Sequence, residues 1–558
     1  MSFSAELKNC ALPPHHTQDT LGAAFTELRA LLGPENVEIV STASLDDKSY
    51  YDPPKTHDPF HILGQDELVA SAVLRPGSTE DVQAIVKLAN KHRLPIWPTS
   101  IGRNFGYGGA APRVRGSAVV DLGARMNKVL DLNEPNAFAL IEPGVTFLGL
   151  YEEIQRRGMK LWVDSPDLGG GSVLGNTLDR GVGYTPYGDH FGTHCGMEVV
   201  LPNGEVVRTG MGALPDKNQP TGSANTWQLF PYGFGPFHDG IFTQSNYGIV
   251  TKMGVWLMPD PGGYQAFMIS FQKDEDLHPA IEIIRPLRIA GILQNTPSIR
   301  SATLDLAVGG PRKDYSLTGK PLTSAEIDNA VAKSTTKIGR WSFYGALYGP
   351  EAVRDVFWAA IKGAFSKIPG ATFHFPSDVP PEKSVLHIRE GTLRGLPTFT
   401  ELEWTNFVPN GSAFFFSPIS PVSGDHADRQ YKLAKDRCDE FGFDYIGTFT
   451  VGMRELHHIV CLVFDRTNEE EKKRAYKMLN LMVQDCADAG YGEYRTHLAL
   501  MDQIAGTYNW NDNALMKLNE TLKDALDPNG IMAPGKSGVW PQAYREVKKR
   551  VVSGTSKI

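Results

Sequence analysis

The sequence predicts a two-domain α+β protein, and three observations carry that reading. Two glycine-rich loops, at 98–112 and 161–190, fall in the first half. A cluster of turn residues, Pro259-Asp260-Pro261-Gly262-Gly263, then punctuates the chain. Beyond it, residues 264–495 alternate helical and strand patterns with few glycine clusters. The segment from about 500 ends in DPNGIMAPGKSGVWP, turn-rich like the first half, and is expected to return there. The expected units are 1–263, 264–499 and, rejoining the first, 500–558.

In chain order, residues 19–33 read as a helix with Leu21, Phe25, Leu28 and Leu31 at helical spacing. Residues 68–75 read as a strand ending in a Pro76-Gly77 turn. Ser78 then N-caps a helix carrying Val82, Ile85, Val86 and Leu88, with Asp81 as the capping-box acid. A short strand, Leu94–Pro98, leads into the first glycine-rich loop. Strands are expected at 117–122 and 137–145. A hairpin spans 196–210 with Asn203-Gly204 as a two-residue turn. A strand at 248–259 closes the region. In the second half, a helix at 351–368 and strands at 411–417 and 445–451 stand out.

Composition narrows the function. The 558 residues are 41% hydrophobic and 21% charged, as in a globular protein. No apolar run has the length of a membrane span, and the N-terminus has no apolar signal core. A net charge of -8 argues against a nucleic-acid surface. Cys10, Cys195, Cys438, Cys461 and Cys486 are far apart, with no C-x-x-C, which suits free thiols in a reducing compartment. The last three residues, Ser556-Lys557-Ile558, are one conservative change from a peroxisomal address, so a peroxisomal location is expected, with the cytoplasm as the alternative.

The second glycine-rich loop organises the chain. Glycines at 169, 170, 171, 175, 181, 183 and 188 are too dense for a helix or strand interior and suit close approach of backbone to a large flat ligand. Asp167 precedes the run, and Tyr184, Tyr187, Asp189 and His190 close it. It is not G-x-G-x-x-G, because Leu174 holds the third glycine's place. In the first loop, backbone N–H groups can bind a pyrophosphate and Arg103 adds charge. His457-His458 do not read as a metal site, since adjacent residues do not face one ion and no third ligand stands nearby.

The segments SIGRNFGYGGAAPRV, PDLGGGSVLGN, GVGYTPYGDH, LFPYGFGP, GTFTVGMRELHHIVC, GEYRTHLA and DPNGIMAPGKSGVWP resemble the vanillyl-alcohol oxidase family of FAD-dependent 4-alkylphenol oxidases, from about Asp58 to Gln542. The resemblance implies an FAD-binding domain plus a cap domain with an antiparallel sheet. It implies a 4-substituted phenol as substrate, O2 as acceptor with release of hydrogen peroxide, and a homodimer or dimer-based octamer. A dehydrogenase passing electrons to a carrier protein is the alternative.

Tyr107, Tyr494 and Arg495 match the family's phenolate-binding trio, and Asp167 its acid/base aspartate. Ser100, Ile101, Gly102, Arg103, Asn104, Gly169, Gly170, Gly171, Ser172, Gly175, Asn176, Gly183, Gly248, Val250, Arg495 and Lys536 are expected against FAD. Tyr184, Arg389, Glu401, Trp404 and Phe415 are expected around the substrate. Two departures stand out. Ala413, in Asn410-Gly411-Ser412-Ala413-Phe414-Phe415-Phe416, occupies the place of the histidine that covalent members bond to the flavin. Phe60, in His57-Asp58-Pro59-Phe60-His61, occupies that of the activating histidine. FAD is therefore expected to bind non-covalently.

Overall fold

The computed structural model describes residues 6–45, 52–60, 62–64 and 67–548. His61 and the terminal Ser556-Lys557-Ile558 lie outside the described residues.

The helix Gln18–Leu32 has a Thr17 N-cap and buries Leu21, Phe25, Leu28 and Leu32. Leu31, expected on that face, is 40% exposed. The apolar stripe follows steps of four, three and four residues, which places Leu32 inward. The next helix, Thr79–His92, starts as expected. The Ser78 hydroxyl accepts from the Asp81 N–H at 3.1 Å, while the Asp81 carboxylate accepts from the Gly77 N–H at 2.7 Å.

These helices cover a four-stranded sheet ordered Val37–Ile39, Ala72–Leu74, Ala118–Asp121, Ile96–Thr99, whose last three strands are parallel. Against it lies an antiparallel five-stranded sheet: Val129–Asn133, Phe138–Ile141, Ile249–Trp256, His194–Val200 and Val206–Arg208. The hairpin joining the last two differs from expectation. Leu201 N–H bonds to the Glu205 carbonyl, so the loop is Pro202-Asn203-Gly204, three residues long. Gly204 sits at φ 85°, the left-handed residue that such three-residue loops require.

Residues 264–465 build a separate, eight-stranded sheet. Its order is Thr372–His374, Tyr264–Phe271, Trp341–Tyr348, Ser298–Ser301, Gly447–Val451, Glu455–Asp465 and Gly411–Phe416, with Ile419–Pro421 also on Glu455–Asp465. Every pairing is antiparallel. In Gly411–Phe416, strand alternation sends Phe414 and Phe416 into the large core with Phe343 and Phe449. Ala413 and Phe415 face the opposite cluster, with Phe60, Phe105 and Trp404.

Near the C-terminus the chain returns to the first sheet. Ile96 N–H donates to the Ile531 carbonyl and Ala533 N–H to the Ile96 carbonyl, both at 2.8 Å. The ammonium of buried Lys523 fixes this return, donating to the Asn246 and Met532 carbonyls at 2.7 Å and pairing with Asp527 at the same distance.

Candidate active site

The two glycine-rich loops form facing walls of one cleft with about 1180 Å³ of empty space. One wall is Trp97–Asn104, leaving the sheet at Thr99; the other is Gly171–Asn176. Gly248 and Val250 line the floor, and Arg495, Leu498, Ala533 and Lys536 complete it from the C-terminal side. Thirteen of the sixteen residues expected against the cofactor line this cleft.

The other three pack closely against neighbouring segments. A Cβ on Gly169 would sit 2.2 Å from the Pro397 Cβ, and one on Gly170 2.2 Å from the Phe399 ring. One on Gly183 would run into the Asp164 carboxylate at 2.3 Å. Their lack of a side chain lets the loop pack against its neighbours. The carbonyl of Gly170 also accepts from Arg103 at 2.9 Å, holding that guanidinium at the cleft.

The residues present fit FAD. The cleft is long, walled by glycine-rich backbone and edged by Arg103, Lys536 and Arg495. A Cβ on Gly175 would lie 2.3 Å from the Ser100 hydroxyl oxygen, so the walls already meet at contact distance. Arg495 keeps a buried Nε–H with no hydrogen-bond partner in the protein.

Arg495 also belongs to a second cluster. Its guanidinium carbon lies 4.5 Å from the centroid of the Tyr107 ring and 5.5 Å from that of Tyr494. Tyr107 stacks on Phe415 with centroids 5.2 Å apart, and Trp404 meets Phe415 edge-on at 5.6 Å. Gly106 allows this stacking. It sits at φ 75°, and a Cβ there would come within 2.6 Å of the Phe415 ring. Burial pushes the Tyr107 hydroxyl above its usual range, with Arg495 pulling the other way. Leu498 N–H donates to the Tyr107 carbonyl, and Gln244 holds the Tyr494 carbonyl at 2.9 Å. The carboxyl of neighbouring Glu493, buried, accepts from the Ser417 N–H at 2.8 Å. Burial raises it well above the carboxylate range, against the pull of that N–H and of Arg495.

A third cluster surrounds Asp167. Tyr184 donates to one carboxylate oxygen at 2.8 Å, and Arg389, on the helix Val385–Leu393, donates to the other. Arg389 also reaches Glu401 at 3.3 Å, and Glu401 accepts from Arg300 at 2.9 Å. Arg300 pairs with Asp305 at 2.7 Å, which accepts from the Tyr344 hydroxyl at 2.7 Å. Arg300, Asp305, Glu401 and Arg389 are all at most 3% exposed at the side chain. The Asp167 side chain is 36% exposed although protein surrounds it, so it faces an internal space. Burial raises its carboxyl, Arg389 lowers it, and the charge of Glu401 raises it again, with a net upward shift. Burial also pushes Glu401 up, but Arg300 and Arg389 outweigh it and hold this group below the carboxylate range.

Sequence reasoning missed Arg300, Asp305 and Tyr344. They lie on the strand Ser298–Ser301, the helix Ala302–Gly309 and the strand Trp341–Tyr348, in no recognisable motif. The signal available was three charged or hydroxyl groups on otherwise apolar buried elements.

Ala413 is fully buried, and Phe60 packs on Phe105 with centroids 5.4 Å apart. His458 is buried, bonded to the Tyr445 hydroxyl at 2.8 Å and stacked on Phe449; burial pushes its imidazole down to about 3. His457 meets the Tyr494 ring edge-on. No group of three metal-binding side chains occurs among the described residues. Among them, too, no helix is long and apolar enough to cross a membrane.

The comparisons with known proteins agree with this arrangement. A family profile described as an FAD binding domain matches residues 70–210, and one for the C-terminal domain of FAD linked oxidases matches 354–537. The chain is 37% identical to the flavoprotein subunit of 4-cresol dehydrogenase (hydroxylating) from Pseudomonas putida, across 96% of this chain and 99% of that one. Among solved structures, a 4-ethylphenol oxidase from Gulosibacter chungangensis, in complex with isoeugenol, superposes with a TM-score of 0.90 at 40% identity, covering 96% of this chain and 100% of that one. A substrate-bound p-cresol methylhydroxylase gives 0.88 at 35%, covering 95% and 99%. The cleft between glycine-rich loops, the antiparallel sheet of the second half and identities of 35% to 40% over nearly the full length place the chain in the vanillyl-alcohol oxidase and p-cresol methylhydroxylase family of two-domain FAD-dependent enzymes.

Proposed function

We propose that this protein oxidises small 4-alkylphenols at the benzylic carbon, the one attached to the ring para to the hydroxyl. The observation that carries the reading is the placement of Arg495. One guanidinium lines the cofactor cleft and lies over the rings of both Tyr107 and Tyr494. A fixed cation with two phenolic O–H donors is a site for an aromatic oxyanion. Phe415 and Trp404 supply flat apolar contact for the ring that carries it.

Binding the substrate as its phenolate, with the phenol proton passing to solvent, moves electron density into its ring and weakens the para benzylic C–H bond. Tyr107, Tyr494 and Arg495 stabilise the phenolate that drives this. Bound FAD supplies the acceptor for the departing hydride. The resulting quinone methide takes up water or loses a proton. Asp167, opening on an internal space, takes the proton released when it is in its ionised form. Arg389 and Tyr184 hold its carboxylate in one orientation.

FAD is held without a covalent bond. Ala413 offers no nucleophile, and Phe60 fills the neighbouring space with an apolar ring. The final acceptor is O2, giving hydrogen peroxide. The likeness to 4-ethylphenol oxidase supports this reading, and the likeness to 4-cresol dehydrogenase favours a carrier protein as the second one. The C-terminal return is part of the cofactor domain, with boundaries at about 263 and 499, supported by Ala533 and Lys536 at the cleft. Oxygen uptake with 4-ethylphenol, vanillyl alcohol and 4-(methoxymethyl)phenol tests the function, with lactate as the contrasting substrate. Turnover of lactate and of none of the phenols would overturn the reading. Phenol turnover with an artificial electron acceptor but not with O2 would select the dehydrogenase.

A further inference from the structure

We propose that the buried chain Asp167–Arg389–Glu401–Arg300–Asp305–Tyr344 holds one exchangeable proton, carried on Asp167. In it, Asp305 is a positioning residue that sets where Asp167 gives the proton up. The inference rests on the reading of Asp167 as the acid/base group.

The side chains come from six separate elements yet form one unbroken ladder. Successive links are the Arg389–Asp167 contact, then 3.3 Å, 2.9 Å, 2.7 Å and 2.7 Å to the Tyr344 hydroxyl. Three carboxylates face two guanidiniums. Buried charge is tolerated only when it is paired, so a neutral ladder carries one proton.

Its place follows from the geometry. Glu401 lies between both arginines and is the best-paired carboxylate. Asp305 has one arginine and the Tyr344 hydroxyl, but its side chain is 0% exposed, so no proton can reach it from the substrate space. Asp167 also has one arginine and one tyrosine hydroxyl, and it alone opens on the internal space. The other titratable groups around the ladder are Tyr184, Tyr264, Tyr344, Tyr348 and Cys461. Burial holds each of them in its neutral form. The carboxylates therefore set the field at Asp167, and low-dielectric surroundings carry it along the ladder.

Removing a negative charge far down the ladder must then ease ionisation of Asp167. In the FAD-loaded enzyme, Asp305→Asn should shift the acid limb of kcat/KM with 4-ethylphenol to lower pH by about half a unit or more. Glu401→Gln, next to Asp167, should shift it further in the same direction. A merely structural role would lower activity at every pH and leave the limb in place. Profiles of both variants that superimpose on the parent's would overturn the proposal. If Asp305→Asn does not fold, Glu401→Gln and an infrared measurement decide. The parent at neutral pH should show the carbonyl band of a protonated carboxylic acid, and Asp167→Asn should lose it. A band that is absent from the parent, or that survives in Asp167→Asn, would overturn the proposal without reference to turnover. If Asp167→Asn oxidises phenols at the parental rate, the acid/base reading fails while the infrared result still judges the ladder.

Discussion

The guanidinium carbon of Arg389 lies 3.9 Å from the centroid of the Tyr184 ring, and both side chains end on the same carboxylate, Asp167. The arginine stacks on the tyrosine face while the tyrosine hydroxyl donates to the acid. Asp167 therefore has both oxygens occupied and one orientation, although it faces open interior space. That geometry suits the acid/base role proposed for Asp167, with its partners fixed before substrate arrives.

Replacing Asp167 by Asn keeps the shape and removes the base. Turnover of 4-ethylphenol should fall by about 10²–10⁴-fold, the usual contribution of one positioned proton-transfer group. FAD content should stay at the parental level, because Asp167 does not line the cofactor cleft. Steady-state rates beside the visible spectrum check both. Parental rates in Asp167→Asn would remove it from the chemistry.

The phenolate trio makes a separate prediction. Tyr107→Phe removes one donor and leaves the ring stacked on Phe415. It should lower kcat/KM by about 10²–10³-fold, as loss of a single oxyanion donor does. Arg495→Lys keeps a charge but loses the planar fork over two aromatic rings, so it should be no better than Tyr107→Phe. A Tyr107→Phe enzyme with unchanged kcat/KM would show that its hydroxyl does not touch the substrate oxygen.

Glu493 makes a prediction about stability. Its folded-state pKa is raised by burial, so between the unfolded carboxyl value, about 4.3, and the folded one the native state holds a proton that the unfolded chain has lost. Stability contributed by this group is present below that window and is lost as pH rises through it. Glu493→Gln cannot ionise and can still accept from the Ser417 N–H. Its Tm should therefore decline less than the parent's as pH rises from about 4.3 toward neutrality. Parallel Tm curves for the two proteins would mean that Glu493 is ionised in the fold.

Much of this site was legible in the sequence, and the rest was hidden for a physical reason. Glycine-rich loops announce themselves, because only glycine allows backbone to approach so closely. Ser100–Asn104 and Gly171–Asn176 accordingly fall on the cleft. At Gly169, Gly170 and Gly183 the missing side chain also serves loop packing. Helix faces follow from spacing, but Leu31 and Leu32 are adjacent and only three-dimensional phase separates them. Arg300 and Tyr344 were invisible because antiparallel pairing joins Ser298–Ser301 to Trp341–Tyr348, about forty residues away. No local pattern encodes that register.

The cofactor linkage is open to a simple check. Ala413 and Phe60 place two apolar groups where the sequence resemblance leads one to expect a linking and an activating histidine. Acid precipitation of the purified protein should leave yellow FAD in the supernatant. A yellow pellet would show a covalent bond made by another residue, and the reading of both positions would fall.

The most direct measurement is anaerobic mixing of the FAD-loaded protein with 4-ethylphenol, following the flavin absorbance. Rapid bleaching by the phenol, and none by lactate, is the result expected if Tyr107, Tyr494 and Arg495 hold a phenolate beside the cofactor. A flavin that stays yellow with every 4-alkylphenol tried, or that lactate bleaches instead, would contradict it.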